Sequence, residues 1–298
     1  MLTVRELTAR DLREALRNGL FRLEIGHFRL KIRSDIPLFS VALGTLYAAH
    51  SCALDGGEYD LDIAISPPNW LRRHLGRNVV FELSGERPFL PVDLGHAHAL
   101  FEWGLNWAIG SYAHNYLILH SAVLETQGAG VLLSAVSGSG KSTLAAELAL
   151  SGWRLLSDEL ALLDENIELV PCTRPVSLKN SSIDLIRRRY PEAVFGPLAR
   201  NTHKGSIAHL PAPAKSVEQG NESATPRLIV FPKWTDGASL RVSAVGQGDA
   251  AMRLIDQSFN YSTLGKSGFE RLADMVDLAE AWEVEYSSLE DAREALTE

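Results

Sequence analysis

A glycine-rich stretch in the middle of the chain constrains its fold more than any other feature. It reads SAVSGSGKSTLAAELALSGW over residues 134–153. An apolar strand pattern, GVLLSAV, leads into it, and a helical pattern with Leu144 and Leu148 on one face follows. Successive backbone N–H groups in such a turn, at the positive end of a helix, are suited to hold a phosphate chain. The sequence therefore predicts a strand, a phosphate-binding loop (P-loop) and a helix, in that order.

The loop and the first helical turn supply the predicted nucleotide contacts, which are Ser137, Gly138, Ser139, Gly140, Lys141, Ser142 and Thr143. Lys141 adds a mobile cation, which we expect to be exposed in the site, and the Ser142 hydroxyl is a ligand type for Mg²⁺. The predicted cofactors are therefore ATP and Mg²⁺. The full pattern has a glycine six positions before the lysine, where this chain has Ala135. A helix N-terminus with unrelated glycines is the alternative interpretation.

An acidic pair, Asp158-Glu159, follows the loop after only one helix and one strand. The helix runs about ten residues, roughly 15 Å, away from the loop, and the strand WRLLS returns along it. We therefore expect Asp158 at the carboxyl end of the neighbouring strand, beside the phosphate site. ABC-type ATPases place such a pair far downstream and carry a signature motif that this sequence lacks. A solvated turn is the alternative for an isolated Asp-Glu pair.

Composition excludes several classes of protein. A chain of 298 residues with 46% hydrophobic residues can bury a sizeable core, which excludes global disorder. The formal net charge of -8 argues against a general nucleic-acid binder. Two distant cysteines, Cys52 and Cys172, exclude a disulfide framework and favour a cytoplasmic protein. The most apolar window, LFEWGLNWAIGSYAHNYLIL, contains Glu102 and His114, so we predict a buried helix followed by a strand and no membrane association.

Periodicity predicts two domains, an α+β N-terminal domain over 1–112 and a P-loop domain over 113–298. In the first, residues 3–18 and 97–112 are predicted as helices, and the predicted strands are FRLEIGHFRLKI, YDLDIAI and VVFELSG. In the second, further predicted strands are YLILHSAVLE, WRLLS and LALLD. The stretch HLPAPAKSVEQGNESATP is typical of a mobile loop. After the strand RLIVFPKW the chain is expected to finish in helices.

The segments LHSAVLE and VLLSAVSGSGKSTLAAELALSGWRLLSDE resemble the core of the HPr kinase/phosphorylase superfamily. There too a strand with a His-small dipeptide precedes the P-loop, and an acidic pair follows one helix and one strand later. The motifs RPVSLKN, THKGSIAHLPAP, FNYSTLG and FEWGLNW are similar to those of the branch called HPr-kinase-related kinase A. The resemblance implies an α/β P-loop domain akin to phosphoenolpyruvate carboxykinase, beside an α+β N-terminal domain. It also implies an enzyme that transfers the ATP γ-phosphoryl group to a Ser/Thr hydroxyl of a peptide or protein.

Two features depart from the bifunctional HPr kinases. The acidic pair is Asp-Glu where those enzymes have Asp-Asp, and VPCTRPVSLKN replaces their signature associated with phosphorolysis. We therefore predict forward transfer with little phosphorolysis, and HPr itself is not indicated as the acceptor. The branch is described as encoded beside a peptide chaperone of the pyrroloquinoline-quinone D type, so the implied partners are a peptide or protein acceptor and that chaperone. HPr kinases are homo-oligomers, which makes self-association an expectation here.

The resemblance also implies roles for the residues around the loop. Asp158 matches the family's general base, and Glu159 is expected to bind Mg²⁺ or to orient Asp158. His120 matches the histidine before the P-loop and is expected to face the phosphates, with a buried core histidine as the alternative. Cations in nearby loops are expected to steady the transferring charge, and they are Arg174, Lys179 and Lys204. For Lys204 an ordinary surface charge is an equal alternative.

The HAH pair formed by His96 and His98 could suggest a metal site. We interpret it as a solvated loop, because no third metal ligand is evident.

Two alternative functions stay open on the sequence. A kinase for a small alcohol or sugar would use the same P-loop chemistry. A module that senses ATP without transferring phosphate is the other alternative, although the intact set Lys141, Ser142 and Asp158 argues against it.

Overall fold

The structure is a computed structural model, in which residues 2–68 and 78–297 are described. They form a mixed α/β protein with several sheets. The described helices are α1 (Ala9–Asn18), α2 (Pro37–Leu46), α3 (Ala97–Tyr112), α4 (Lys141–Leu150), α5 (Ser181–Arg189), α6 (Ala214–Glu218), α7 (Gln247–Asp256), α8 (Tyr261–Leu264), α9 (Lys266–Leu278) and α10 (Leu289–Thr297). Among them none combines the length and the apolar character that a bilayer crossing needs.

The described strands are β1 (Arg22–Ile25), β2 (Phe28–Ser34), β3 (Cys52–Ala53), β4 (Leu61–Ser66), β5 (Asn78–Leu83), β6 (Val92–Asp93), β7 (Leu117–Leu119), β8 (Ser121–Thr126), β9 (Ala129–Ser134), β10 (Arg154–Ser157), β11 (Ala161–Leu163), β12 (Leu169–Val170), β13 (Val176–Lys179), β14 (Ala199–Thr202), β15 (Gly205–Leu210), β16 (Thr225–Trp234), β17 (Arg241–Ala244) and β18 (Glu280–Tyr286).

The chain divides into two compact units. The first contains residues 1–109 and 177–218, and the second contains residues 110–176 and 219–298. The first crossing lies close to the predicted boundary after residue 112. Residues 177–218 were assigned to the P-loop domain by sequence, whereas in the structure they lie with the N-terminal residues. The two-domain assignment stays a prediction.

The first unit is built on a sheet with strand order β3-β1-β2-β4-β5-β6. Helix α1 begins after Thr8, whose hydroxyl accepts a hydrogen bond from the Asp11 N–H, and ends at Gly19 in the left-handed conformation. The predicted strand segment FRLEIGHFRLKI forms two strands, because β1 and β2 pair antiparallel around a turn at Gly26. The predicted helix over 97–112 is also confirmed as α3. A smaller sheet, β13-β15-β14, completes this unit.

The HAH pair belongs to ordered structure in the first unit, so the predicted solvated loop is wrong. His98 lies in α3 and is 2% exposed, because its ring packs edge-on against the ring of His209 with centroids 5.7 Å apart. The His96 Nε2 atom contacts the backbone oxygen of Arg200 at 2.6 Å. Within residues 2–68 and 78–297, no three His, Cys, Asp or Glu side chains cluster as metal ligands.

The buried position of His98 predicts a pH-dependent stability. Burial lowers the pKa of His98 from 6.5 to about 4, so the folded state resists protonation that the unfolded state accepts. Between these two values the unfolded chain binds more protons, and stability must therefore fall as the pH falls from 6.5 towards 4. The full shift corresponds to about 3 kcal/mol. Urea unfolding across this range should show a shallower pH dependence for His98→Gln than for the wild type; parallel curves would contradict the assignment.

The second unit is built on a sheet with strand order β10-β8-β9-β16-β18-β17. Helices α7 and α9 cover one face, where Leu254, Leu272 and Met275 pack with Leu132 and Ile229 of the sheet. Helix α4 packs on β8, β9 and β10, and α10 packs on α4 and β18. A three-stranded sheet, β12-β11-β7, extends the unit. Because helices pack on the sheet, a site is expected at the strand ends and not on the faces.

Five strand ends meet at one edge of the main sheet of this unit. Strands β9, β16 and β18 are parallel neighbours and end there together. Strand β8 is antiparallel to β9 and begins at this edge, with Ser121 opposite Ser134. Strand β10 is antiparallel to β8, so it also ends there. The expectation that WRLLS neighbours the P-loop strand is wrong, because β8 lies between them, but its carboxyl end does reach the same edge.

Candidate active site

The glycine-rich loop connects the end of β9 to the start of α4, as predicted. Gly138 and Gly140 adopt φ angles of 93° and 90°, in the left-handed region that favours glycine. Ser139 closes the turn, because its N–H and its hydroxyl both donate to the Val136 oxygen, at 3.3 Å and 2.8 Å. The Ser139 oxygen in turn accepts from the Trp234 N–H at 3.0 Å, which ties the loop to the end of β16.

Gly140 is constrained by close neighbouring atoms as well as by its φ angle. A Cβ atom at this position would lie 2.8 Å from the Tyr286 hydroxyl and 3.0 Å from the Trp234 Cβ. At Gly138 a Cβ would meet nothing within 4 Å. The glycine before Lys141 is therefore required both by backbone conformation and by the close approach of β16 and β18 residues.

The loop and the start of α4 present groups that suit an anion. Ser137 and Gly138 are exposed, and Ser142 and Thr143 in the first turn of α4 are half-buried. The first N–H groups of a helix lack intrahelical acceptors and carry the positive end of the helix dipole. This combination is the physical basis of phosphate binding at helix N-termini.

Lys141 joins the loop to the acidic turn. Its Nζ atom donates to the backbone oxygen of Asp158 at 2.9 Å, and the lysine is 7% exposed. The expectation that Lys141 is exposed is therefore wrong in this structure. A buried ammonium needs hydrogen-bond acceptors, and the Asp158 carbonyl supplies one at the end of β10. The glycine-rich loop and the acidic pair, which are close in sequence, are therefore in direct contact in the fold.

The two acidic residues differ in exposure. Asp158 is 2% exposed, whereas the Glu159 side chain is 18% exposed. The Glu159 carboxylate lies 3.1 Å from the Nε2 atom of His120, whose side chain is 33% exposed. His120 is thus a partly exposed partner of Glu159 and not the buried core histidine of the alternative interpretation.

His120 is held in place by the segment between α7 and α8. Its N–H donates to the Gln257 oxygen at 2.7 Å, and its ring lies 5.8 Å from the ring of Phe259. Asn260 fixes the preceding strand, because its Oδ1 accepts from the Ile118 N–H and its Nδ2 donates to the Tyr116 oxygen. This segment is FNYSTLG, one of the motifs singled out in the sequence, and it presents the 52% exposed ring of Phe259 beside His120.

The predicted cations fall in different places. Arg174 belongs to the second unit and is 4% exposed. It follows Cys172 and Thr173, which hydrogen-bond to the end of β10: the Cys172 N–H donates to the Leu156 oxygen at 3.0 Å. Lys179 and the exposed Lys204 lie in the first unit, at the end of β13 and in the β14–β15 turn. The roles of all three at a phosphate site stay predictions.

Sequence reasoning missed two residues beneath the loop. Trp234 ends β16 and Tyr286 ends β18, a strand that was expected to be part of the helical C-terminus. The signal was available in EAWEVEY, where Trp282, Val284 and Tyr286 alternate with glutamates. A period of two predicts a strand, and helical neighbours on both sides obscured it.

The residues present fit ATP and Mg²⁺ by their chemistry. Mg²⁺ prefers oxygen ligands and is usually bound through one or two carboxylates together with substrate phosphates. The Ser142 hydroxyl and the Glu159 carboxylate are such ligands, and Asp158 adds a third oxygen donor at the end of β10. At Gly138 a Cβ would meet nothing within 4 Å, so the exposed part of the loop backbone has open space beside it for a phosphate.

No protein-family model matches the chain, and no curated protein sequence matches it. Among solved structures, the chain is similar to the HPr(Ser) kinase/phosphatase from Coxiella burnetii, at 12% sequence identity and a TM-score of 0.25. The similarity covers 61% of this chain and 99% of that one. A likeness at this level carries no conclusion about function.

Proposed function

We propose that the protein is an ATP-dependent kinase that transfers the γ-phosphoryl group to a Ser/Thr hydroxyl of a peptide or protein. The observation that carries the proposal is the 2.9 Å hydrogen bond from the Lys141 ammonium to the Asp158 backbone. It joins a phosphate-binding loop to an acidic turn at one sheet edge, and kinases need both a phosphate cradle and a carboxylate near the transferred group.

The proposed ATP site uses the loop backbone, the Lys141 ammonium and the first turn of α4. Ser142 and Glu159 would hold Mg²⁺, which supplies neutralisation of the phosphate charge when it is bound. Lys141 stays anchored to Asp158 while its remaining donors face the phosphates, so its position is fixed before the nucleotide arrives. Such preorganisation is what electrostatic stabilisation of transferring charge requires.

The proton of the acceptor hydroxyl needs a base within hydrogen-bond reach. Asp158 is the proposed base, in line with the resemblance to the HPr kinases. The structure also favours one alternative, because Asp158 is 2% exposed while Glu159 is more accessible and contacts His120 at 3.1 Å. In that alternative Glu159 takes the proton, and Asp158 contributes to Mg²⁺ binding.

The proposed branch is HPr-kinase-related kinase A, supported by the motifs around Arg174, Lys179, Lys204 and Phe259. The proposed acceptor is a peptide or protein, with a peptide chaperone encoded nearby as a partner. The exposed Phe259 ring beside His120 supports this acceptor class, since an apolar surface next to the reacting groups suits a polypeptide better than a small polar sugar.

The test incubates the protein with ATP–Mg²⁺ and candidate peptides encoded by neighbouring genes, and follows them by intact mass spectrometry. We expect a mass gain of one phosphoryl group on a peptide, lost when its Ser and Thr residues are replaced by Ala. A parallel panel of small alcohols and sugars is the comparison. Transfer to that panel alone would identify a small-molecule kinase, and ATP binding with no transfer to any acceptor would contradict the kinase proposal.

A further inference from the structure

The Tyr286 hydroxyl is a buried polar group with an unexplained environment. Tyr286 is 0% exposed, and within residues 2–68 and 78–297 its hydroxyl has no hydrogen-bond partner. Burial raises the pKa of this phenol, so it stays protonated and keeps its O–H donor. Buried tyrosine hydroxyls usually find a partner, because leaving the donor unpaired costs free energy. An exception of this kind calls for a role.

The hydroxyl lies directly beneath the P-loop. It is 2.8 Å from the position that a Cβ of Gly140, the N-cap residue of α4, would occupy. The neighbouring strand β16 already makes a hydrogen bond to the loop backbone, since the Trp234 N–H donates to the Ser139 oxygen at 3.0 Å. Trp234 and Tyr286 are register partners in the parallel pair β16–β18. Two adjacent strand ends therefore support the loop from below, one through a hydrogen bond and one through an unused donor.

The loop can supply the missing acceptor if its peptide planes turn. Gly138 and Gly140, both at positive φ, flank Ser139, and glycine has access to backbone conformations that other residues lack. A peptide plane whose N–H turns towards a bound phosphate carries its carbonyl to the opposite side, because the peptide unit is planar. The Tyr286 hydroxyl lies close enough to the Gly140 backbone to donate to a carbonyl moved in this way.

We propose that Tyr286 is a positioning residue of the P-loop, whose hydroxyl donates to a backbone carbonyl within residues 137–140 when the loop closes on the phosphates of ATP. The inference rests on the proposed function, because it assumes that the loop binds a nucleotide. The donor has no partner among the described residues, and in the proposal it gains one when ATP is bound. It therefore favours the closed loop over the open one and adds to ATP affinity without touching ATP.

The test compares Tyr286→Phe with a matched control, Tyr47→Phe. Tyr47 is also fully buried, but its hydroxyl donates to the Glu102 carboxylate at 2.7 Å. In Tyr286→Phe an unpaired donor is removed, so stability without nucleotide should be unchanged or higher, while ATP–Mg²⁺ should bind about tenfold more weakly, the value of one lost hydrogen bond. In Tyr47→Phe stability should fall and ATP–Mg²⁺ affinity should stay at the wild-type value.

Urea unfolding without nucleotide and calorimetric titration with ATP–Mg²⁺ give the two readouts for each variant. Carbon-13 labelling of the tyrosine rings adds a third, because the Tyr286 Cζ signal should shift when ATP–Mg²⁺ pairs its hydroxyl. Wild-type affinity in Tyr286→Phe would overturn the inference, and so would a loss of affinity accompanied by the destabilisation seen in Tyr47→Phe. Failure of the wild type to bind ATP–Mg²⁺ would instead overturn the proposed function on which the inference rests.

Discussion

Lys141→Ala is expected to abolish phosphoryl transfer and to weaken ATP binding strongly while the protein stays folded. The Lys141 ammonium is the proposed cationic contact of the phosphates, and its removal leaves them with the neutral donors of the loop and of the first turn of α4. The same change removes the 2.9 Å hydrogen bond to the Asp158 oxygen, so a loss of stability of about 1.5–3 kcal/mol is also expected. The acidic turn then loses its tie to the loop, which affects catalysis a second time.

Circular dichroism, calorimetric titration with ATP–Mg²⁺ and a transfer assay separate these effects. Lys266→Ala is the matched control, because Lys266 is 88% exposed in its side chain and pairs with Glu270 one helical turn away. Such surface pairs contribute little, so this variant should match the wild type in all three measurements. Wild-type affinity and turnover in Lys141→Ala would remove the basis of the proposed function.

The parts of the site that follow from local sequence were predictable. The loop, the helix after it and the return of the acidic pair to the same sheet edge all follow from glycine spacing, apolar periodicity and the length of one helix and one strand. The end of that helix was predictable too, since Gly152 at φ 109° follows the last turn of α4. Each of these features is fixed within about 25 residues of chain.

The parts that depend on distant pairing were not predictable. The sequence pattern of a single segment does not indicate that β8 separates β10 from β9, or that residues 177–218 return to the first unit. Likewise, Pro- and Ser-rich composition predicted an irregular loop over HLPAPAKSVEQGNESATP, yet residues 214–218 form α6 with Ser216 buried. Such positions are decided by tertiary packing, which overrides weak local preference.

Burial within the site was the hardest property to predict. Neighbouring residues in a turn look alike in sequence, but Asp158 points into the protein at 2% exposure while Glu159 reaches His120. Sequence pattern assigns chemistry to the pair, and only the fold distinguishes its members.

Asp158→Asn is expected to lower the transfer rate by about 10²- to 10⁴-fold, the usual cost of removing a general base. The substitution keeps the side-chain shape and the backbone oxygen, so the hydrogen bond from Lys141 persists and the fold is retained. ATP–Mg²⁺ affinity should change much less, because the loop amides, Lys141 and Ser142 provide most of the phosphate contacts. A wild-type rate in this variant would end the assignment of Asp158 as the base.

Glu159→Gln is the matched variant, and Mg²⁺ titrations with rate and nucleotide affinity read in parallel separate the two roles. If Asp158 is the base, Glu159→Gln should raise the Mg²⁺ concentration needed for half-maximal rate and weaken ATP binding at low Mg²⁺, with the rate largely restored by excess metal. If Glu159 is the base, excess Mg²⁺ cannot restore Glu159→Gln, and Asp158→Asn becomes the variant that metal rescues.

The partial exposure of Glu159 and its 3.1 Å contact with His120 add a third readout, because a base coupled to histidine changes its pH–rate profile when that histidine is replaced. His120→Asn should therefore leave the shape of the profile unchanged if Asp158 takes the proton, and should alter it if Glu159 does.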